Sequence, residues 1–325
     1  MARTRLYRNG VLEKENFPVA EISECVNDPG AVVWLDLCTL DGEEGLDDVE
    51  EEFGLHALAV EDASHERQRP KLDQYGTHLF LSAYAIAVDP DTADLTSSEL
   101  AMFVMPNALI TVRKDRKFDI EEVVKRWDAT PELVKEGAGF LLYGVLDFIV
   151  DGHFQAVQDL DERIESLQDD LFDDTRDRVR EVQRKSFDLR RDLILLRRFV
   201  LPMREVVNGL MRRDVKVVND TLMPYFQDVY DHVLRATEWT ESLRDLVSTI
   251  LETNLTIQGN RMNLIMKQVT SWAAIIAVPT AVTGFYGQNL PYPGFQQHWG
   301  FVVSSAIIAG GSGLLYLVFR RKDWL

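Results

Sequence analysis

A run of residues that are small or polar apart from Met266 recurs at steps of three and four near the end of the chain: Asn263, Met266, Thr270, Ala273, Ala277, Thr280, Gly284 and Gly287. That spacing collects them on one face of a helix, while the bulky Trp272, Ile275, Ile276, Val282 and Phe285 fall elsewhere. Such a face can let helices pack closely, or it can line a path in which amides, hydroxyls and carbonyls hydrogen-bond the water around an ion. Packing and lining are compatible. Just beyond it, Gln288 and Asn289 add side-chain amides to the backbone carbonyl of Gly287, although an asparagine there can also cap a helix end. A second set is acidic. Asp147 and Asp151 stand four apart in an otherwise apolar run, so both carboxylates share one helical face; taken alone, each is a cap, a salt-bridge partner or a solvated charge. Asp228, Asp231 and His232 have a helical spacing that can take a transition metal, but a surface histidine beside acids is commonplace.

The elements that must hold these residues are legible from hydropathy. Val269 to Gly287 is nineteen residues without a charge, and Trp299 to Phe319 is a second uncharged run that stops at Arg320, Arg321 and Lys322. Each is long enough to cross a bilayer. The basic ending predicts both termini in the cytoplasm and the Gln288 to His298 loop outside. One hairpin cannot enclose a water-filled path, so a pore requires several copies of the chain around an axis. Upstream, Val229, Val233, Ala236, Thr240, Leu243, Val247, Ile250, Asn254 and Ile257 form a heptad-like stripe. If that helix continues into the first span, about 62 residues at ~1.5 Å each make a rod of roughly 90 Å.

Earlier still, Val32 to Leu37 and His78 to Val88 read as strands, and Ala101 to Met105 with Ala108 to Val112 as a hairpin turning at Pro106 and Asn107. Phe140 to Asp174 and Thr175 to Arg213 read as two charged helices packed antiparallel, the second bent at Pro202. Phe140 to Val150 is too short to span and contains Asp147, which makes it a core helix. The acids between Asp41 and Glu52 read as a solvated helix face.

Composition bounds the partners. With 35 basic and 53 acidic residues the net charge is −18, which repels nucleic acid and anionic lipid and suits divalent cations. Cys25 and Cys38 form neither a disulfide framework nor a thiolate zinc pattern. No signal peptide is read at the N-terminus. There is no P-loop, nucleophile elbow or zinc-protease pattern, so no enzyme is expected.

Tyr286, Gly287, Gln288 and Asn289 together resemble the Tyr-Gly-Met-Asn signature of the CorA family of magnesium channels, and Lys322, Asp323, Trp324 and Leu325 resemble its ending. Further matching blocks are Glu61, Asp62, Gln68, Arg69, Pro70 and Lys71; Leu141 to Asp151; Leu201 to Glu205; and Tyr225 to His232. The resemblance implies an α+β membrane protein: a cytosolic α/β domain (1–131), antiparallel helices (132–223), a stalk helix (224–268), a pore-lining span (269–289), an outer loop (290–298), a second span (299–319) and a basic tail (320–325), assembled as a homopentameric funnel. It further implies Mg2+ as cargo and regulator, with Co2+ or Ni2+ as further cargo. Gly287, Gln288 and Asn289 would form the outer filter, Asn263 a deeper polar ring, and Met266 with Val269 a hydrophobic gate. Acids matching Asp62 and Asp228 meet across neighbouring subunits in the family and bind regulatory magnesium, with those matching Glu61 and Asp147 close by; Asp151 joins the candidate set. Gln288 replaces the usual Met and the outer loop lacks Asp and Glu. Zinc-transporting relatives also replace that Met, so a proton-coupled Zn2+ transporter is the alternative, and a membrane-anchored sensor or scaffold without flux is the third.

Overall fold

A strand whose two faces are both covered can be apolar at every position, and Ala31–Cys38 (β3, AVVWLDLC) is such a strand, buried almost throughout. In this computed structural model, which describes residues 2–26, 28, 30–39, 46–65, 69–89, 92, 94–171, 176–212, 215–288 and 291–325, β3 lies within a seven-stranded sheet. The sheet also contains Arg3–Arg8 (β1), Val11–Glu15 (β2), Lys71–Gln74 (β4), Leu79–Val88 (β5), Leu95–Met105 (β6) and Ala108–Arg113 (β7), in the order β2-β1-β3-β7-β6-β5-β4. Among the described residues, only β3 and β7 pair in parallel. The expected β6–β7 hairpin closes at Pro106 and Asn107, with Met105 paired to Ala108. Strands β1, β2 and β4 were not anticipated from the sequence.

Alternation sorts the sheet into two cores. Val32, Trp34, Leu81, Ala83, Met102 and Val104 face one side, with residues of Ile120–Ala129 (α4), Pro131–Val134 (α5), Ala138–Asp170 (α6), Arg176–Leu210 (α7) and the start of Met223–Tyr286 (α8). Val33, Leu35, Phe80, Ala101 and Phe103 face the other, against Ile22–Val26 (α1), Leu46–Phe53 (α2) and Ala57–Ser64 (α3). The acidic stretch expected as a solvated face lies partly on α2; residues 41–45 are outside the described set.

Helices α6 and α7 run antiparallel, as their cross-pairs require: Arg163 meets Asp192 at 3.3 Å and Lys185 meets Asp170 at 3.0 Å. Helix α7 continues through Pro202. The most apolar window of α6 is 61% buried, against 6% for α8 and 0% for His298–Arg321 (α9), so protein rather than lipid accounts for the apolarity of α6. The α8 stripe begins as expected, with Val229, Val233, Ala236, Thr240, Leu243 and Val247 all buried. Contacts divide the chain into Met1–Thr249, which holds the sheet and its helices around a shared core, and Ile250–Leu325.

His153 on α6 is fully buried and its Nε2 donates to the Tyr84 carbonyl at 2.7 Å. Burial pushes its pKa down from 6.5 to about 4, against the smaller opposing effect of that hydrogen bond. The unfolded chain therefore takes up this proton first. The stability contributed is complete above pH 6.5 and is lost as pH falls towards 4. We expect His153→Gln to flatten the acid dependence of the unfolding midpoint across that window by about one proton; an unchanged slope would contradict the assignment.

Candidate ion path and cytosolic acidic cluster

Within Ile250–Leu325, α8 and α9 each have one covered stripe. From residue 271 onward on α8 it is Ser271, Ala274, Ile275, Val278, Pro279, Val282 and Tyr286; on α9 it is Gly300, Ser304, Ile308, Gly311, Ser312, Leu315 and Phe319. Both repeat at three and four residues, the signature of helices laid along each other. Gly311 lets the pair approach, because a Cβ there would sit 3.1 Å from Val278 Cγ1. At about 100° per residue, the small-and-polar set falls on the opposite side of α8. Asn263, Met266, Val269, Thr270, Ala273, Ala277, Thr280, Gly284 and Gly287 are all exposed.

At the end of α8, Gly287 N–H donates to Thr283 O at 2.8 Å and Gln288 N–H to Phe285 O at 3.3 Å. Glycine is needed at 287, since a Cβ would lie 2.9 Å from the Thr283 carbonyl. The next carbonyl is held by a residue that sequence reasoning overlooked: Tyr292 OH donates to Tyr286 O at 2.8 Å, and its ring packs among Phe285, Tyr286 and Phe295. Gln288 is exposed; Asn289 lies outside the described residues. Tyr292→Phe keeps the ring cluster and removes the tie. A net hydrogen bond is worth about 1 kcal/mol, so we expect the preference between two divalent cations to change roughly fivefold while flux persists. Identical ion preferences would show that Tyr292 positions nothing.

The cytosolic acids fall into two groups. Glu61 and Asp62 lie on α3, where the Glu61 side chain is exposed and Asp62 accepts from Lys71 Nζ at 2.6 Å. Lys71 also reaches Asp73 at 2.9 Å. Burial works against the Lys71 ammonium, but these two carboxylates outweigh it and its pKa is raised. Asp147 and Asp151 share a face of α6, as their spacing requires, but Arg126 from α4 bridges them. Its Nη1 lies 2.8 Å from Asp147 and 3.0 Å from Asp151, with its Cζ 5.2 Å from the Phe148 ring centre. Burial and then the Asp151 charge raise the Asp147 pKa, with Arg126 and His232 opposing. Asp228, on the first turns of α8, pairs with His232 at 3.4 Å and is well exposed. Tyr143 lies in the field of Asp147, Asp228 and Asp151, and its pKa is raised by burial first and by those charges next.

Among the described residues, no three His, Cys, Asp or Glu side chains are grouped to hold a metal. Of Asp228, Asp231 and His232, the structure pairs Asp228 with His232. Asp62 carries a lysine, whereas Asp228 is exposed beside the His232 imidazole. Neither Arg126 nor Tyr292 could have been found from periodicity, because each acts across elements.

Residues 29–321 match the model of the family described as CorA-like Mg2+ transporter protein. The cobalt/magnesium transport protein CorA of Thermotoga maritima is 27% identical over 300 residues, covering 92% of this chain and 85% of that one. The zinc transport protein ZntB of Yersinia pseudotuberculosis is 22% identical over 261 residues, covering 80% and 78%. Among solved structures, the complete CorA magnesium transporter of Methanocaldococcus jannaschii aligns with TM-score 0.83 at 23% identity, over 100% of this chain and 99% of that one. The expected absence of enzyme machinery agrees with a family of transporters. This chain belongs to the CorA-like family and is a divalent cation transporter of that kind.

Proposed function

We propose that the protein is a homopentameric Mg2+ channel of the cell membrane, with both termini cytoplasmic and α8 and α9 as its two spans. The observation that carries this reading is the exposed stripe from Asn263 to Gly287, opposite the face that α9 covers. Copies arranged around an axis bury that stripe against a shared water-filled path. Mg2+ holds its hydration shell tightly and prefers oxygen ligands, so the Gly287 carbonyl and the Gln288 and Asn289 amides select it by binding that shell. Met266 and Val269 form a hydrophobic constriction that conducts when wetted and closes when dry.

Regulation runs through Asp62 and Asp228 of adjacent copies. A shared cation cancels their repulsion and favours the closed arrangement; its loss releases the cytosolic domains, and the continuous α8 carries the change to the gate. Glu61, Asp147 and Asp151 flank this site. Arg126 already neutralises two of them, so Arg126→Gln is expected to strengthen inhibition by cytosolic Mg2+ about threefold, by freeing an interaction of roughly 0.7 kcal/mol. Unaltered inhibition would remove Asp147 and Asp151 from the regulatory set.

Flux into liposomes of the full-length protein, measured for Mg2+, Co2+, Ni2+ and Zn2+ with and without a pH gradient, tests the proposal. Mg2+ flux driven by membrane potential and indifferent to the pH gradient is the expected result. The amide of Gln288 in the usual Met position favours one rival, a proton-coupled Zn2+ transporter, for which Zn2+ flux would follow the pH gradient. No flux for any ion would leave a membrane-anchored sensor or scaffold.

A further inference from the structure

Pro279 lies inside α8. A proline has no N–H, so the carbonyl four residues earlier, that of Ile275, loses its intrahelical donor. In hydrocarbon such a carbonyl finds no water, and helices tolerate the loss where a neighbour supplies a hydroxyl. Ser312 of α9 does so: its Oγ lies 3.4 Å from Ile275 O. Four other hydroxyls on these two helices behave differently. Ser271, Thr280, Thr283 and Ser304 each donate to a carbonyl three or four residues back on their own helix. Ser312 instead crosses to α8, and it does so beside Gly311, whose missing Cβ leaves room for Val278.

We infer that Ser312 is a positioning residue: its hydroxyl replaces the N–H that Pro279 lacks, and this bond fixes the height and rotation of α9 against α8 at the proline. The consequence for transport rests on the channel reading above. Ala273, Ala277 and Thr280 bracket the proline on the opposite face, so a rotation of α8 at this point would turn them away from the ion path. Ser312 would hold them towards it.

Two comparisons in the full-length protein test this. Threonine and valine have nearly the same shape and differ in the hydroxyl. Ser312→Thr is expected to keep the detergent melting midpoint of Ser312→Ala or better, and Ser312→Val to fall below Ser312→Thr by about 3 °C. In the Pro279→Ala background, the backbone N–H restored at that position takes the Ile275 carbonyl, and the difference between threonine and valine should vanish. An equal difference in both backgrounds, or none in either, would overturn the inference. Ion flux is read separately: Ser312→Val should lower Mg2+ flux about threefold relative to Ser312→Thr with Pro279 present. If liposomes pass no ion at all, the channel reading fails while the melting comparison still decides the contact.

Discussion

Ala277→Phe is expected to abolish cation flux in liposomes while the purified protein keeps its oligomeric size. Ala277 is exposed at the middle of the small-and-polar stripe, on the side of α8 away from α9. In a ring of copies, each phenyl group would enter the same cross-section of the axis. A path wide enough for a hydrated ion tolerates a methyl group there and not several aromatic rings. Phe301, 76% exposed on α9 and off its covered stripe, supplies the control: Phe301→Ala changes a surface that faces lipid under this reading, and flux should persist. The competing account of the stripe is close helix packing, in which small residues matter because backbones approach. Under that account Ala277→Phe would dissociate the assembly. Size-exclusion chromatography beside the flux assay separates the two, and a mutant that assembles and conducts normally would defeat both.

How much of this was readable in the chain depended on whether the signal was periodic. The α8 stripe and the separation of the small face from the bulky one follow from spacing alone, because helices impose one repeat over many residues. Strand β3 and the β6–β7 hairpin were equally plain, being apolar runs separated by turn residues. Strand β1 was not. Arg5 is buried in it, paired with Asp128 at 2.8 Å and Glu15 at 3.3 Å, so charges interrupt the apolar alternation that marks a strand. Strand β2 is exposed along its length and β4 is only four residues long, leaving little pattern to find. The site residues divide the same way. Asp147 and Asp151 share a face as predicted, but that Arg126 occupies both depends on the docking of α4 onto α6. Tyr292 and Ser312 likewise satisfy carbonyls on another element, and no local rule points from hydroxyl to acceptor.

Asp36→Ala should cost the cytosolic unit about 3–5 kcal/mol, the range for removing one partner of a buried ion pair. Asp36 lies at the centre of the sheet with its side chain 2% exposed. Arg113 approaches it with two nitrogens, Nε at 3.0 Å from one oxygen and Nη2 at 2.6 Å from the other. Thr111 donates to the same carboxylate at 2.8 Å and accepts from the Trp34 indole at 3.1 Å. The carboxylate thus ends a chain of donors that crosses the β3–β7 pair, the parallel join of the sheet. Alanine leaves the Arg113 guanidinium, 13% exposed, without its counter-charge. It also takes from the Thr111 hydroxyl its short acceptor and leaves it the Leu35 carbonyl at 3.5 Å, and a buried charge left unsatisfied costs more than the bond itself was worth. Chemical denaturation of the full-length protein, followed by a probe in the sheet, measures the loss. Replacing both partners, as Asp36→Leu with Arg113→Met, removes the charge together with its need for a partner and should recover much of the stability. A single mutant as stable as the unmodified protein, or a double mutant no better than the single, would show that the pair does not hold β3 against β7.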